Sequence, residues 1–299
     1  MWMMKDILQD SSDMADILDG KETAASLEKV LRERLSALRE KHYEPKLAII
    51  LAGGSKPSAM YASFMQKVAK GYGIESEIFQ ESEDITEEEL GSLITDLSHD
   101  REITGILMMM PLPDGIDAEK MIALIDPDKD VDGLTDTNAG RLSAGKAGLF
   151  GCTPRAVMAI LDHYGINPDG QKAVVIGRSN VIGKPVSLML LKKNATVTIC
   201  HSHTKDLKKI ASDADILVAA LGHAGAVTAD MVKPGAVVID VGINRVNGKT
   251  VGDVDFEAVS EIAGAITPVP GGVGSVTTTM VIENIITAGE KQAAKEMKD

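Results

Sequence analysis

Residues 174–204 read VVIGRSNVIGKPVSLMLLKKNATVTICHSHT. An apolar run, a turn holding Gly177, a helix-forming stretch opened by Gly183 and a second apolar run give strand, turn, helix, strand. A dinucleotide-binding unit requires that order. Gly177 permits a tight turn and close backbone approach, and Gly183 leaves room where a helix N-terminus would face a pyrophosphate. The full GxGxxG is absent, and two glycines in such a turn are by themselves more often structural. Arg178 and Ser179 between them add a cation and a hydroxyl where phosphate would lie. Beyond the second run come His201, Ser202, His203 and Thr204, with no acid before Asp206. An acid there would grip the free ribose hydroxyls of NAD. Its absence leans towards NADP, with Arg178 and Ser202 on the 2′-phosphate, and NAD as the alternative. The plainer reading is a solvated arginine and a Ser/Thr turn.

Working outward, residues 216–220 and 236–241 add two more apolar runs, completing a doubly wound, Rossmann-like sheet. Upstream, residues 47–52 (LAIILA) and 105–110 read as buried strands, stopped by Gly53–Gly54 and by Pro111 and Pro113. A further strand is expected at 75–79. Helices are expected at 24–38, 58–72, 87–97 and 154–164 from apolar spacing and strand alternation. A glycine- and aspartate-rich loop after Asp126 marks a junction. The expectation is therefore α/β, with two domains around a cleft. Residues 1–150 form a parallel-type N-terminal domain and 151–276 the nucleotide domain, and a final helix over 277–298 packs back on the first.

With 31 basic and 44 acidic residues the net charge is −13, which gives no global attraction for nucleic acid or an anionic membrane. No apolar run is long enough to span a bilayer. Cys152 and Cys200 are far apart, so neither a metal site nor a disulfide framework is expected, and a reducing cytoplasm fits. The first fourteen residues have no functional reading.

GRSNVIGKP, DVGINR from Asp240, GDVDF from Gly252 and TPVPGGVGSVT from Thr267, with PLPDGID from Pro111 and KDVDG from Lys129, occur in one order. Together they resemble the methylenetetrahydrofolate dehydrogenase/cyclohydrolase family. The resemblance implies folate in the first domain, NAD(P) in the second, and a homodimer paired through the nucleotide domain. It implies hydride transfer from 5,10-methylenetetrahydrofolate to give the 5,10-methenyl form, which most members then hydrolyse to 10-formyltetrahydrofolate.

Carried onto this chain, the resemblance places Tyr61 and Asp132 at the folate, with Pro270, Gly271 and Gly272 letting backbone approach the ring. Gly177, Arg178, Ser179, Ser202, Ile243 and Thr277 fall on the nucleotide. Met65 stands where the family has a lysine, four residues after the tyrosine and on the same helix face. Met109 stands where a glutamine would orient that lysine, and Ser275 replaces a usual proline. Hydride transfer needs positioning more than proton movement, whereas hydrolysis of the methenyl bridge needs an acid/base group. The expectation is a dehydrogenase with weak or absent hydrolysis, working beside a separate cyclohydrolase. The alternatives are a bifunctional enzyme served by Lys56, Lys67 or Lys70, and a silent folate- or nucleotide-binding protein.

Overall fold

The computed structural model describes residues 14–296. The expected helix end at Lys298 and nearly all of the N-terminal extension lie outside them. Through the first half the elements run β1 (Asp16–Ile17), α1 (Gly20–Arg39), β2 (Lys46–Ala52), α2 (Lys56–Gly71), β3 (Glu75–Glu81), α3 (Glu87–His99), β4 (Gly105–Met108), α4 (Ala118–Ala123), α5 (Asp136–Ser143) and α6 (Cys152–His163). The second half continues with β5 (Lys172–Ile176), α7 (Gly183–Lys192), β6 (Thr196–Cys200), α8 (Leu207–Ala211), β7 (Ile216–Ala219) and β8 (Val237–Asp240). Then come β9 (Asn244–Val246), β10 (Lys249–Val251), α9 (Phe256–Ser260), β11 (Ala265–Ile266) and α10 (Thr277–Glu296).

Two parallel sheets organise the chain. The first is ordered β3-β2-β4, the second β1-β11-β8-β7-β5-β6, and among the described residues only the small β9–β10 hairpin is antiparallel. β2 is central and buried along almost its whole length, as its unbroken apolar run requires when helices cover both sheet faces. Helices α1, α3, α4 and α5 each start at a side-chain cap. Asp19 accepts from Lys21 N at α1, and Thr86 and Glu89 form a reciprocal capping box at α3.

Three features differ from the sequence expectation. The junction after Asp126 is not all loop, because Thr135 caps the short α5. With eight residues and a glycine inside, α5 is too brief to show periodicity. β4 ends at Met108, so Met109 and Met110 leave the strand, although Met109 N still bonds Ile50 O at 2.8 Å. And β1, from the start of the chain, pairs with β11 in the second sheet.

α10 packs against α1 and α6. Arg34 of α1 forks onto Glu290 (2.7 and 3.0 Å) and reaches Glu283 at 3.3 Å. Arg155 of α6 pairs with the same Glu283 at 2.5 Å. Between them the buried Asn284 donates to Val131 O at 2.8 Å and Phe150 O at 2.9 Å. The last helix is thus tied by one side-chain amide to the backbone just before Asp132 and to that of Phe150.

Candidate functional site

The folate-side cavity forms where α2 meets the end of β4. Ser58 in the first turn of α2 donates to Met110 O at 3.0 Å, which fixes the helix against the strand exit. One turn on, Tyr61 and the segment 107–110 line a cavity of about 280 Å³ with Asp132. Among the described residues, Tyr61 and Asp132 are the only titratable side chains on that lining. Burial first, then the Asp130 charge, pushes Asp132 up to about 6, against a bond from Cys152 that lowers it. Tyr61 keeps 39% of its surface exposed, yet burial and the Asp132 charge push its phenol upward. The structure therefore joins these two predicted residues.

Met109 also lines this cavity, at 4% exposure. Met65 is fully buried one helical turn below Tyr61, in the same apolar core cluster as Met109. Lys56, Lys67 and Lys70 are all exposed, and none is on the cavity lining. The neighbouring acid, Asp130, has a different task. Its 1%-exposed carboxylate accepts from Leu134 N, Thr135 N and Asn138 Nδ2, fastening the loop that presents Asp132. Cys152 is buried, its thiol raised by burial and then by Asp132, which fits a packed rather than a nucleophilic sulfur.

Pro270, Gly271 and Gly272 fall elsewhere. They share a second cavity, about 230 Å³, with Ile243 and Gly242 rather than with Tyr61. Gly271 has φ +113° and its carbonyl accepts from Gly20 N at 2.8 Å, so the loop rests on the start of α1. A Cβ on Gly20 would collide with Gly272 O. Ser275 also lines this cavity, and Thr277 follows it at the head of α10, its hydroxyl donating to Gly274 O at 3.1 Å.

The nucleotide turn behaves as its glycines suggest. A Cβ on Gly177 would strike Ala220 O, and one on Gly183 would strike Gly177 O, so both positions demand glycine. Ser179 Oγ accepts from Ile182 N (3.1 Å) and Gly183 N (3.4 Å), shaping the turn rather than standing free. Register pairs Ile176 with Cys200, which puts Arg178 and Ser202 two residues beyond the ends of neighbouring strands. Both are exposed. His201 N donates to Thr204 Oγ1 and Thr204 N to His201 O, both at 2.8 Å, so the residues around Ser202 form a hydrogen-bonded turn. The cradle of glycine backbone, helix N-terminus and exposed arginine fits a nucleotide phosphate.

Sequence reasoning passed over two acids here. Asp240, at the end of β8, and Asp253 are both buried and accept several backbone N–H bonds. Their signal was the spacing of DVG and GDVD, each acid within two residues of a glycine. Asn284, in the middle of a helix, gave none.

Two family models divide the chain between them. The tetrahydrofolate dehydrogenase/cyclohydrolase catalytic domain matches residues 18–132, and the NAD(P)-binding domain of the same family matches 151–293. The bifunctional protein FolD of Campylobacter curvus is 49% identical over 278 residues, covering 93% of this chain and 96% of that protein. The solved structure of the bifunctional FolD dehydrogenase/cyclohydrolase of Campylobacter jejuni superposes with a TM-score of 0.90 at 43% identity, covering 93% of this chain and 99% of that one. That of Trypanosoma brucei FolD, complexed with NADP cofactor and an inhibitor, gives 0.86 at 34% identity, with 93% and 98% covered.

Proposed function

Because the chain belongs to the tetrahydrofolate dehydrogenase/cyclohydrolase family, we propose that it oxidises 5,10-methylenetetrahydrofolate to the 5,10-methenyl form with NADP. The supporting observation is the cavity whose only titratable lining groups are Tyr61 and Asp132, carried by the same chain as a glycine-built nucleotide cradle. When bound, the nucleotide would supply the hydride acceptor. Asp132 holds the amino and ring N–H edge of the pterin through paired, charge-assisted bonds. Tyr61 lies against the ring, and the apolar wall of Met108 and Met109 excludes water from the carbon that loses hydride. Gly177, Arg178, Ser179 and Ser202 hold the phosphates, while the Ile243 backbone, the loop 270–272 and Thr277 close on the nicotinamide end.

In this reading 1–150 form the catalytic domain, apart from β1, which joins the second sheet, with α10 (Thr277–Glu296) added, and 151–276 form the nucleotide domain. The chain works as a cytoplasmic homodimer on tetrahydrofolate derivatives, with NAD as the alternative cofactor.

For the second step, relatives at 46–49% identity bear the bifunctional name. They favour hydrolysis of the methenyl product in the same cleft over the sequence expectation of its loss. On that reading Lys56, whose neighbour Pro57 lines the cavity, is the first candidate to test. The reading of a dehydrogenase with slow hydrolysis rests on one observation, that no lysine lines the cavity and both methionines are buried. Two assays separate them. Methylenetetrahydrofolate with NADP is followed by nucleotide reduction, and methenyltetrahydrofolate alone is followed against buffer. Reduction with hydrolysis at a comparable rate supports the bifunctional enzyme. Reduction with hydrolysis at the buffer rate supports the second reading, and no reduction with either nucleotide defeats both.

A further inference from the structure

The DVG and GDVD segments fold onto each other. Asp253 is fully buried and Asp240 is 4% exposed. Asp240 Oδ1 accepts from Gly242 N at 2.9 Å and Asp253 N at 3.0 Å, and its Oδ2 accepts from Val254 N at 2.9 Å. Asp253 Oδ2 accepts from Leu221 N at 2.6 Å and Gly222 N at 2.8 Å; its Oδ1 accepts from His223 N and Asn244 Nδ2, both at 2.9 Å. Each carboxylate lies over a glycine of the other segment. A Cβ on Gly242 would collide with the Asp253 carboxylate, and one on Gly252 with that of Asp240. Two acids brought together in a dry place are costly unless their oxygens are saturated with donors. Here seven N–H groups point at the two carboxylates.

The loops so joined are the ones that face the nucleotide. The segment after β7 begins at Ala220, whose carbonyl abuts Gly177 and whose N–H bonds Ile176 O at 2.8 Å. The segment after β8 carries Ile243, 70% exposed beside the loop 270–272. Asp240 N donates to Thr267 Oγ1 at 2.7 Å, which adds the root of that loop to the same unit.

We infer that Asp253, itself held by Asp240, is a positioning residue for the nucleotide: it sets the spacing between the loop beside the phosphate turn and the backbone that meets the nicotinamide. The inference rests on the nucleotide reading above. A carboxylate is needed because four donors converge on it. An asparagine of the same shape offers one oxygen and turns an NH₂ towards two N–H groups.

The test measures NADP binding by calorimetry for the wild type, Asp253→Asn and Asn244→Ala. 5-Formyltetrahydrofolate binding and thermal unfolding are measured on the same samples. Loss of buried, charge-assisted bonds predicts that Asp253→Asn weakens NADP about tenfold or more. Asn244→Ala, which removes one donor, weakens it a few-fold, about threefold. Folate affinity stays within about twofold in both variants, a split that general destabilisation does not produce. Equal NADP affinity in wild type and Asp253→Asn overturns the inference while leaving the nucleotide reading intact. If Asp253→Asn does not fold, unchanged NADP affinity in Asn244→Ala overturns it instead. A wild type that binds neither NADP nor NAD overturns the nucleotide reading, and this inference with it.

Discussion

The two halves of the site recognise their ligands by different means. On the nucleotide side the surface is largely backbone, namely the two glycines of the phosphate turn, the head of α7, and loops buttoned by Asp240 and Asp253, with the exposed Arg178 and Ser202 side chains beyond the strand ends. On the folate side a mostly apolar wall carries two titratable side chains, Tyr61 and Asp132. A surface made of backbone is altered mainly by forcing atoms into it. A surface that depends on two side chains can change its chemistry with one substitution.

Gly183→Ala should therefore have the largest effect. Its Cβ would meet the Gly177 carbonyl and the Arg178 amide. We expect the KM for NADP to rise about 100-fold or more, the order set by several kcal/mol of backbone displacement, with folate binding retained. Folate affinity lost in parallel would show that the halves are not separable.

Asp132→Asn should do the reverse. Loss of a charge-assisted pair predicts about a 10- to 100-fold fall in kcat/KM for the folate, with NADP affinity unchanged in titration. The pH dependence sharpens this. Since Asp132 is pushed up to about 6, the working carboxylate is lost as pH falls through that value, and kcat/KM should fall with it. Stability should move the other way. A carboxyl whose folded pKa is raised contributes its full stability below the unfolded value near 4, and loses it as pH rises through about 6. At neutral pH Asp132→Asn should thus melt a few degrees, about 2 °C or more, above the wild type by calorimetry. An unchanged or lower melting temperature would mean that this carboxylate is not strained.

Asn284→Ala tests the tie from α10. Leaving the buried carbonyls of Val131 and Phe150 without their amide donor should cost about 1–3 kcal/mol by denaturant titration. The KM for the folate should rise only a few-fold, through looser placement of Asp132. A KM for NADP that rose equally would spread the effect over both halves.

Much of the fold was legible because β2, β5, β7 and β8 are nearly continuous apolar runs, and because Gly177 and Gly183 stand where the backbone has no space for a Cβ. Tyr61 and Asp132 could be placed only through the ordered motifs. What escaped was either too short to show a period, as with α5 and β1, or depended on tertiary contact. That Pro270 and its glycines would line the Ile243 cavity follows from Gly20 supporting the loop at long range. The role of Asn284 needs the final helix laid across the Asp132 loop, which no local pattern encodes.

The most direct test gives the enzyme 5,10-methylenetetrahydrofolate deuterated at the methylene carbon, with NADP, and weighs the reduced nucleotide by mass spectrometry. The account predicts deuterium on the nicotinamide ring, one atom per turnover, because direct hydride transfer carries the methylene deuterium across without exchange through a side chain. Reduced nucleotide without the label would contradict direct transfer, and with it the assignment of the two facing halves.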